Sequence, residues 1–342
     1  MRKNFLTGFG VPLVVGAMMT FGPMILASSA QASTVGMSLT SSMTLVCTGT
    51  TVLPSDNLVA KVSTAVAGTT FCLQAGTYSI GTSSVKPKDN QKLIGVAPVV
   101  GADGSISAAS KIVGTGAAII DVGRARGVVI ENLDISGANG VLACKPICGR
   151  GISQGVNLTV SYSRIHDNDS TGIGGGGSGM LLSHLEVDHD GSLTFADCCS
   201  GGVKSAHAYT IDSSYVHDNI GNGVWQDICG QNFVVTNNHL TRNTYSGARY
   251  EHSSSCAGSA TITGNLVTGN NLALKGGAAG IAVNSAPGAF ISNNTMGNNN
   301  KFGISIGGTR GPLTGTTIQN STMNGDVLKG CALAVVTCSN NN

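Results

Sequence analysis

Lys204, Asp227 and Glu251 stand 23 and 24 residues apart in a chain in which only 11% of residues are charged. Each sits in a short polar phrase: GGVKSAH, GVWQDIC and GARYEHSSSC. The middle phrase holds Trp225, the single tryptophan of the chain, and the last holds Arg249, Tyr250 and His252. Two kinds of glycan chemistry suit these residue types. β-Elimination on a uronic acid needs a base to take the proton α to a carboxylate and a cation to stabilise the developing enolate. Lys204 serves as that base if neighbouring Arg249 lowers its pKa, with Arg249 or Ca²⁺ meeting the substrate carboxylate. Glycoside hydrolysis needs two carboxylates flanking the scissile bond, and Asp227 and Glu251 supply a pair. In either case Trp225 and Tyr250 offer ring faces to sugars, with His252 beside them. The plain alternative is a Lys–Asp–Glu ion-pair ladder on an exposed face, which contributes little.

These spacings carry meaning only if the chain is periodic, and it is. Aligned segments run NLDISGAN, SRIHDND, HLEVDHDG, SYVHDNIG, NHLTRNTY, NLVTGNN, NTMGNNN and NSTMNGD. Their apolar markers are Ile135, Ile165, Val187, Val216, Leu240, Val267, Met296 and Met323. The steps average about 27 residues, which suits a solenoid whose loops vary in length. Runs such as GVVIENLDI, NFVVTNNHL and SATITGNLV read as short strands punctuated by glycine and asparagine. No long 3.6-residue periodicity supports helical repeats. The expected fold is therefore all-β, a parallel β-helix of about eight or more coils. One coil of spacing places Lys204, Asp227 and Glu251 at equivalent positions on neighbouring coils, about 5 Å apart per step.

Asn168, Asp190, Asn219, Asn243, Asn270 and Asn299 recur at one phase and predict a structural ladder, since asparagine tolerates left-handed geometry and bonds to the backbone. The same ladder accounts for the His166-Asp167 and His217-Asp218 pairs without chemistry. The carboxylates of Asp167, Asp169, Asp188 and Asp190 form a second candidate, a Ca²⁺ site across adjacent coils; no cofactor is otherwise expected.

A solenoid end exposes core and needs a cap. LPSDNLVAKVSTAVAG predicts a helix with Ser55 as N-cap, Leu58, Val59, Val62 and Val66 on one face, and Gly68 as the stop. The first 32 residues read as a signal peptide: Arg2 and Lys3, an apolar run from Phe5 to Ala27, then Ala30-Gln31-Ala32 before the cut. The run is long enough for an uncleaved anchor, but Pro12, Gly16 and Pro23 interrupt it. Residues 33–110 form the cap and first coils, and 111–342 the remaining coils and C-terminal end. Removal of the leader takes two of 19 cations and none of 17 anions, leaving 17 of each sign. A neutral chain argues against nucleic acid and anionic membranes as partners. The ten cysteines of an exported protein predict disulfides. Cys47 with Cys72 would staple the cap, Cys331 with Cys338 would close a terminal loop, and Cys229 with Cys256 would clamp two coils. Cys198 and Cys199 are open between pairing together and pairing with Cys144 and Cys148; a zinc site at Cys144 and Cys148 is the rival reading.

The cap phrase AGTTFCLQAGTY, the coils with recurring DN and NN turns, and GGVK followed by GNGVWQD resemble secreted right-handed parallel β-helix proteins of the pectate-lyase-like superfamily, over roughly residues 50–335. The resemblance implies a right-handed coil. It does not choose among the lyases, hydrolases, epimerases, esterases and non-catalytic surface proteins of that superfamily. The reading taken forward is a secreted, monomeric protein that meets polysaccharide. Elimination on a uronic-acid glycan is the leading activity, hydrolysis by Asp227 and Glu251 the first alternative, and a binding or adhesin-like solenoid the second.

Overall fold

The computed structural model describes residues 47–140, 149–153, 155–193, 199–228, 231–251, 258–308 and 312–342. The expected leader lies outside them, as do Cys144, Cys148, Cys198, Cys229, Cys256 and His252. Residues Thr44–Asn342 form one compact unit.

Three parallel sheets run along the coil axis, the first of twelve strands and the second and third of nine each. A typical turn of the coil passes from Tyr209–Asp212 in the first sheet to Tyr215–His217 in the second and Asn222–Gln226 in the third. The predicted markers fall in one column of the second sheet: Ile135, Ile165, Val187, Val216, Leu240, Val267 and Met296 pair in unbroken register. Matching columns, such as Ile173, Val203 and Val224 in the third sheet and Leu182, Ile211 and Val235 in the first, complete a buried aliphatic core. Because side chains alternate at period two, this register also decides which residues face outward.

Two corners repeat the same device. A residue with positive φ turns the chain, and the next residue inserts a polar side chain into the stack. At the second-to-third corner the turning residues include Asp167, His189, Asp218 and Arg242, with φ between 53° and 54°. The predicted ladder follows them. Asn219 donates its backbone N and Nδ2 to Asn243 Oδ1 at 3.2 and 3.0 Å, and Asn243 does the same to Asn270 at 3.1 and 3.0 Å. Asp190 occupies an asparagine's place, fully buried: its Oδ1 accepts from Asn168 N and Nδ2 at 3.0 and 2.8 Å, and burial pushes its pKa well up. At the first-to-second corner a second ladder, Asn238–Asn265–Asn294, bonds in the same way.

A column of glycines lines the entry to the third sheet, among them Gly172, Gly202, Gly223, Gly247 and Gly280. A Cβ on Gly223 would stand 2.7 Å from the Gly247 carbonyl oxygen and 2.8 Å from Asn243 Nδ2. Gly223→Ala is expected to destabilise by about 1–3 kcal/mol through overpacking. An unchanged denaturation midpoint would show that the coil yields more readily than its backbone contacts imply.

The cap helix spans Leu58–Thr64 and buries Leu58 and Val62. Its N-cap is Asn57, whose Oδ1 accepts from Ala60 N at 3.0 Å, not Ser55. Asp56 bonds Leu53 N and Lys61 and shapes the turn before it, so the chain enters the helix two residues later than expected. Val66, placed on the buried face by the sequence reading, lies past the helix end and is 76% exposed. Cys47–Cys72 and Cys331–Cys338 are bonded as expected, and no described cysteine is free. Cys199 is disulfide-bonded. No helix among the described residues is long and apolar enough to cross a membrane.

Candidate functional site on the third sheet

Loop lengths single out one face. Six successive corners between the first and second sheets, from residues 162–163 to 293–294, contain two residues each. Connections entering the third sheet range from three residues (115–117) to thirteen (137–149). Those leaving it range from three (206–208) to eight (252–259). The uneven repeat steps therefore come from both edges of the third sheet, which is the floor of the candidate site. Variable loops on a rigid scaffold are where binding residues concentrate.

The outward row of that floor reads Gly174, Lys204, Trp225, Arg249, Ala282, Ser305 and Lys329, one residue per coil. Lys204 is thus level with Trp225 and Arg249, not with Asp227 and Glu251 as equal spacing suggested. The connection between Ser205 and Tyr209 is shorter than the one between Gln226 and Phe233, so a step of 23 residues is not one coil here; the register step is 21. Asp227 follows the strand end, where its backbone N bonds Ser205 O at 2.8 Å.

The cluster nevertheless closes across the rows. Lys204 Nζ lies 3.0 Å from Asp227 Oδ2 and 3.5 Å from the Trp225 ring centroid. Arg249 Nε donates to Glu251 Oε2 at 2.7 Å, and its guanidinium lies 5.6 Å from the same ring. Trp225 is 3% exposed beneath these cations, so its ring holds Lys204 and is not an open platform for sugar. Tyr250 is fully buried, near Phe233, with its hydroxyl on Pro287 O at 3.2 Å; it is a core residue, not a stacking surface. Inward and outward positions alternate along the strand, so Arg249 and Tyr250 cannot both face the groove.

Arg150 is the member that sequence reasoning missed. It lines a depression of about 380 Å³ together with Lys204, Gly174, Gly175 and Gly176. Burial lowers the pKa of Lys204, opposed by Asp227 and Glu251 and assisted by Arg150. Arg150 is therefore a cation that assists, a part that the sequence reading gives to Arg249. Only the run of glycines facing Lys204, GIGGGG, signalled in the sequence that a hollow opens there.

The second sheet carries a different polar face. Asp134, Arg164, Glu186 and Tyr215 form one outward row, and His166, Asp188 and His217 the next. Arg164 Nε and Nη2 bind Asp188 at 2.9 and 2.7 Å, and Arg242 binds Asp218 at 2.8 and 2.6 Å. The ladder explanation of the HDN phrases holds for their asparagines alone; the histidines and aspartates point out into this network. A hairpin, Val99–Ser107, reaches over it, with Ile106 N on Glu186 Oε2 at 2.6 Å.

The expected Ca²⁺ set does not assemble. Among the described residues, the one group of ligating atoms within 4.8 Å of one another is Glu186, Asp188 and His217. Asp188 faces Arg164, Asp190 is a ladder residue and Asp167 pairs with His166. Two of these three, Glu186 and Asp188, already hold the Arg164 guanidinium, which supplies the positive charge a metal would bring.

The network has a pH signature. Burial pushes His217 down and His166 down, but their hydrogen bonds to Glu186, Asp218, Asp134 and Asp167 prevail, and both pKa values stand above ordinary. For Asp134 and Asp188 burial raises and their cationic partners prevail, so both stand below ordinary. The histidines stabilise the fold fully below their unfolded value and lose that contribution as pH rises through their folded values. The aspartates contribute above their unfolded value and lose it as pH falls through their folded ones. These four groups contribute most between about pH 4 and pH 6.5, against the decline above about pH 4 that buried Asp190, with its raised pKa, sets. Melting curves across pH test this: His217→Asn should flatten the alkaline decline, and an unaltered decline would place its origin elsewhere.

A family model described as right-handed β-helix region matches residues 109–283. Among solved structures, the chain is similar to the A-module of the mannuronan C-5 epimerase AlgE6 of Azotobacter vinelandii, at 16% identity over 83% of this chain and 93% of that one, with a TM-score of 0.45. It is also similar to the periplasmic alginate epimerase AlgG, at 14% identity over 85% and 83%, TM-score 0.46, and to pectate lyase Pel9A, at 14% over 80% and 77%, TM-score 0.43. No curated protein matches the sequence.

Proposed function

We propose, from the premise that the chain belongs to the right-handed β-helix family, that it is a secreted carbohydrate-active protein that cleaves a uronic-acid glycan by β-elimination on its third sheet. The observation that carries this reading is Lys204: a lysine with a lowered pKa, on the outward row of the third sheet, lining a depression with Arg150. Neutral Lys204 Nζ takes the proton on the carbon α to the uronate carboxylate. The electron pair released forms the carbon–carbon double bond, the β glycosidic C–O bond breaks, and the departing oxygen takes a proton from solvent. Arg150 meets the substrate carboxylate, with Arg249 one position beyond Trp225. Trp225 supports Lys204 from below. No step uses Ca²⁺, because the carboxylates expected to hold it do not converge.

Hydrolysis by Asp227 and Glu251 has less support. Each carboxylate is bound to a cation, Lys204 or Arg249, and Glu251 is 4% exposed. A disulfide-bonded chain fits the oxidising exterior of a cell.

Incubation with pectic, alginate and neutral polysaccharides separates these readings. Unsaturated product detected by ultraviolet absorbance is expected from one of the acidic glycans. Reducing ends without unsaturation would overturn elimination in favour of hydrolysis. Binding with neither signal would leave a glycan-binding solenoid.

A further inference from the structure

Further along the third sheet lies a second group of cations. Lys329 occupies the same outward row as Lys204 and Arg249, three coils beyond Arg249. At about 4.8 Å per coil this is about 14 Å. Lys329 Nζ lies 5.3 Å from the Phe302 ring centroid, and Lys301 Nζ lies 5.0 Å from the same ring. Neither lysine has a carboxylate partner among the described residues, whereas Lys204 and Arg249 both do. Both lysines are exposed and Phe302 is half-buried. Beside them opens a hollow of about 450 Å³, lined by Asn271, Leu274, Lys275, Asn300, Lys301 and Phe302.

Two like charges held on one ring repel each other, and the ring returns only about 0.5–1 kcal/mol to each at an exposed site. An anion placed between them removes the repulsion and gains charge-assisted hydrogen bonds. Phe302 and Leu274 supply apolar surface for the body of such a ligand, and exposed Asn300 offers its Oδ1 to a hydroxyl, its Nδ2 being bonded to Asn271 O at 3.1 Å. A sugar unit bearing a carboxylate or sulfate combines these features.

We propose that Lys301, Phe302 and Lys329 form a distal subsite for an acidic sugar unit of a chain that also spans Lys204. The chain-spanning part rests on the uronate reading above; the anion subsite itself does not. Short oligosaccharides engage one end only, and long chains engage both, so affinity rises with length through effective concentration.

The test is titration calorimetry of the full chain with short and long oligouronates, a sulfated glycan and neutral dextran. Lys301→Gln with Lys329→Gln is expected to weaken binding of the long uronate about tenfold, and to make its salt dependence shallower, while changing short-chain affinity less than twofold. Lys301→Arg with Lys329→Arg should retain long-chain binding. Equal long-chain affinity in the wild type and the Gln variant overturns the subsite, as does equal loss for short and long chains. If the wild type binds the sulfated glycan through these lysines but no uronate, the subsite stands and the uronate reading falls. If it binds no acidic glycan, the subsite falls.

Discussion

Lys204→Ala should lower the rate of unsaturated-product formation by about 10²–10⁴-fold, the range for loss of a general base. The side chain is displayed outward from a strand whose core neighbours, Val203 and Ser205, remain in place, so circular dichroism and the melting profile should change little. The wild-type rate should rise with pH as Lys204 gives up its proton. Burial lowers its pKa, so the plateau should arrive below the ordinary lysine value of 10.5. Removing Arg150 takes away the cation that helps lower it. Arg150→Gln should therefore shift the profile to higher pH as well as weaken substrate binding, whereas a residue that only shaped the fold would leave the profile in place. Full activity in Lys204→Ala would remove the base from the mechanism.

The largest effect on stability is expected within the asparagine ladder. Asn243→Ala deletes the acceptor for both Asn219 donors and the donor to Val216 O and Asn270 Oδ1, all buried. Buried groups left without partners cost about 1–3 kcal/mol each, and partial relaxation gives an expected loss of about 3–5 kcal/mol. In a solenoid each coil contacts its neighbours, so the loss should appear first as local opening around Tyr245 and Ser246. Hydrogen exchange at those amides, together with denaturant unfolding, measures it. Asn243→Asp gives a signed companion. A buried aspartate at this position, like Asp190, favours its protonated form, so its folded pKa is raised and stability should fall as pH rises above about 4. A flat pH profile in that variant would mean that the ladder tolerates a buried charge.

The coil was legible because its cause is local and repeated. An apolar residue, a left-handed turn and an asparagine recur in order, and Ile135 through Met296 needed only alignment to be placed in one column. The expectation for the site was legible in part. Residue types placed Lys204, Asp227, Arg249 and Glu251 near one another, and the structure joins them in two ion pairs. Spacing misjudged the rows because the connection after Ser205 is short, and an error of two residues in register moves a side chain along the strand without changing its face. Tyr250 and Trp225 were misread for a different reason. Aromatic type signals sugar contact and core packing alike, and only strand parity or a covering cation tells them apart. Arg150 was hidden because its partner hollow is formed by glycines, which leave no side chain to notice. The network on the second sheet was discounted because His166 and His217 stand next to ladder residues, although successive positions at a corner point in different directions.

The position of a bound oligouronate tests the central claim most directly. A crystal structure of the Lys204→Ala protein with such a ligand should show the chain lying along the row from Gly174 to Lys329, with one carboxylate on Arg150 or Arg249 beside position 204. A ligand seated on the Glu186–His217 face of the second sheet, or one crossing the third sheet without meeting either arginine, would contradict the account.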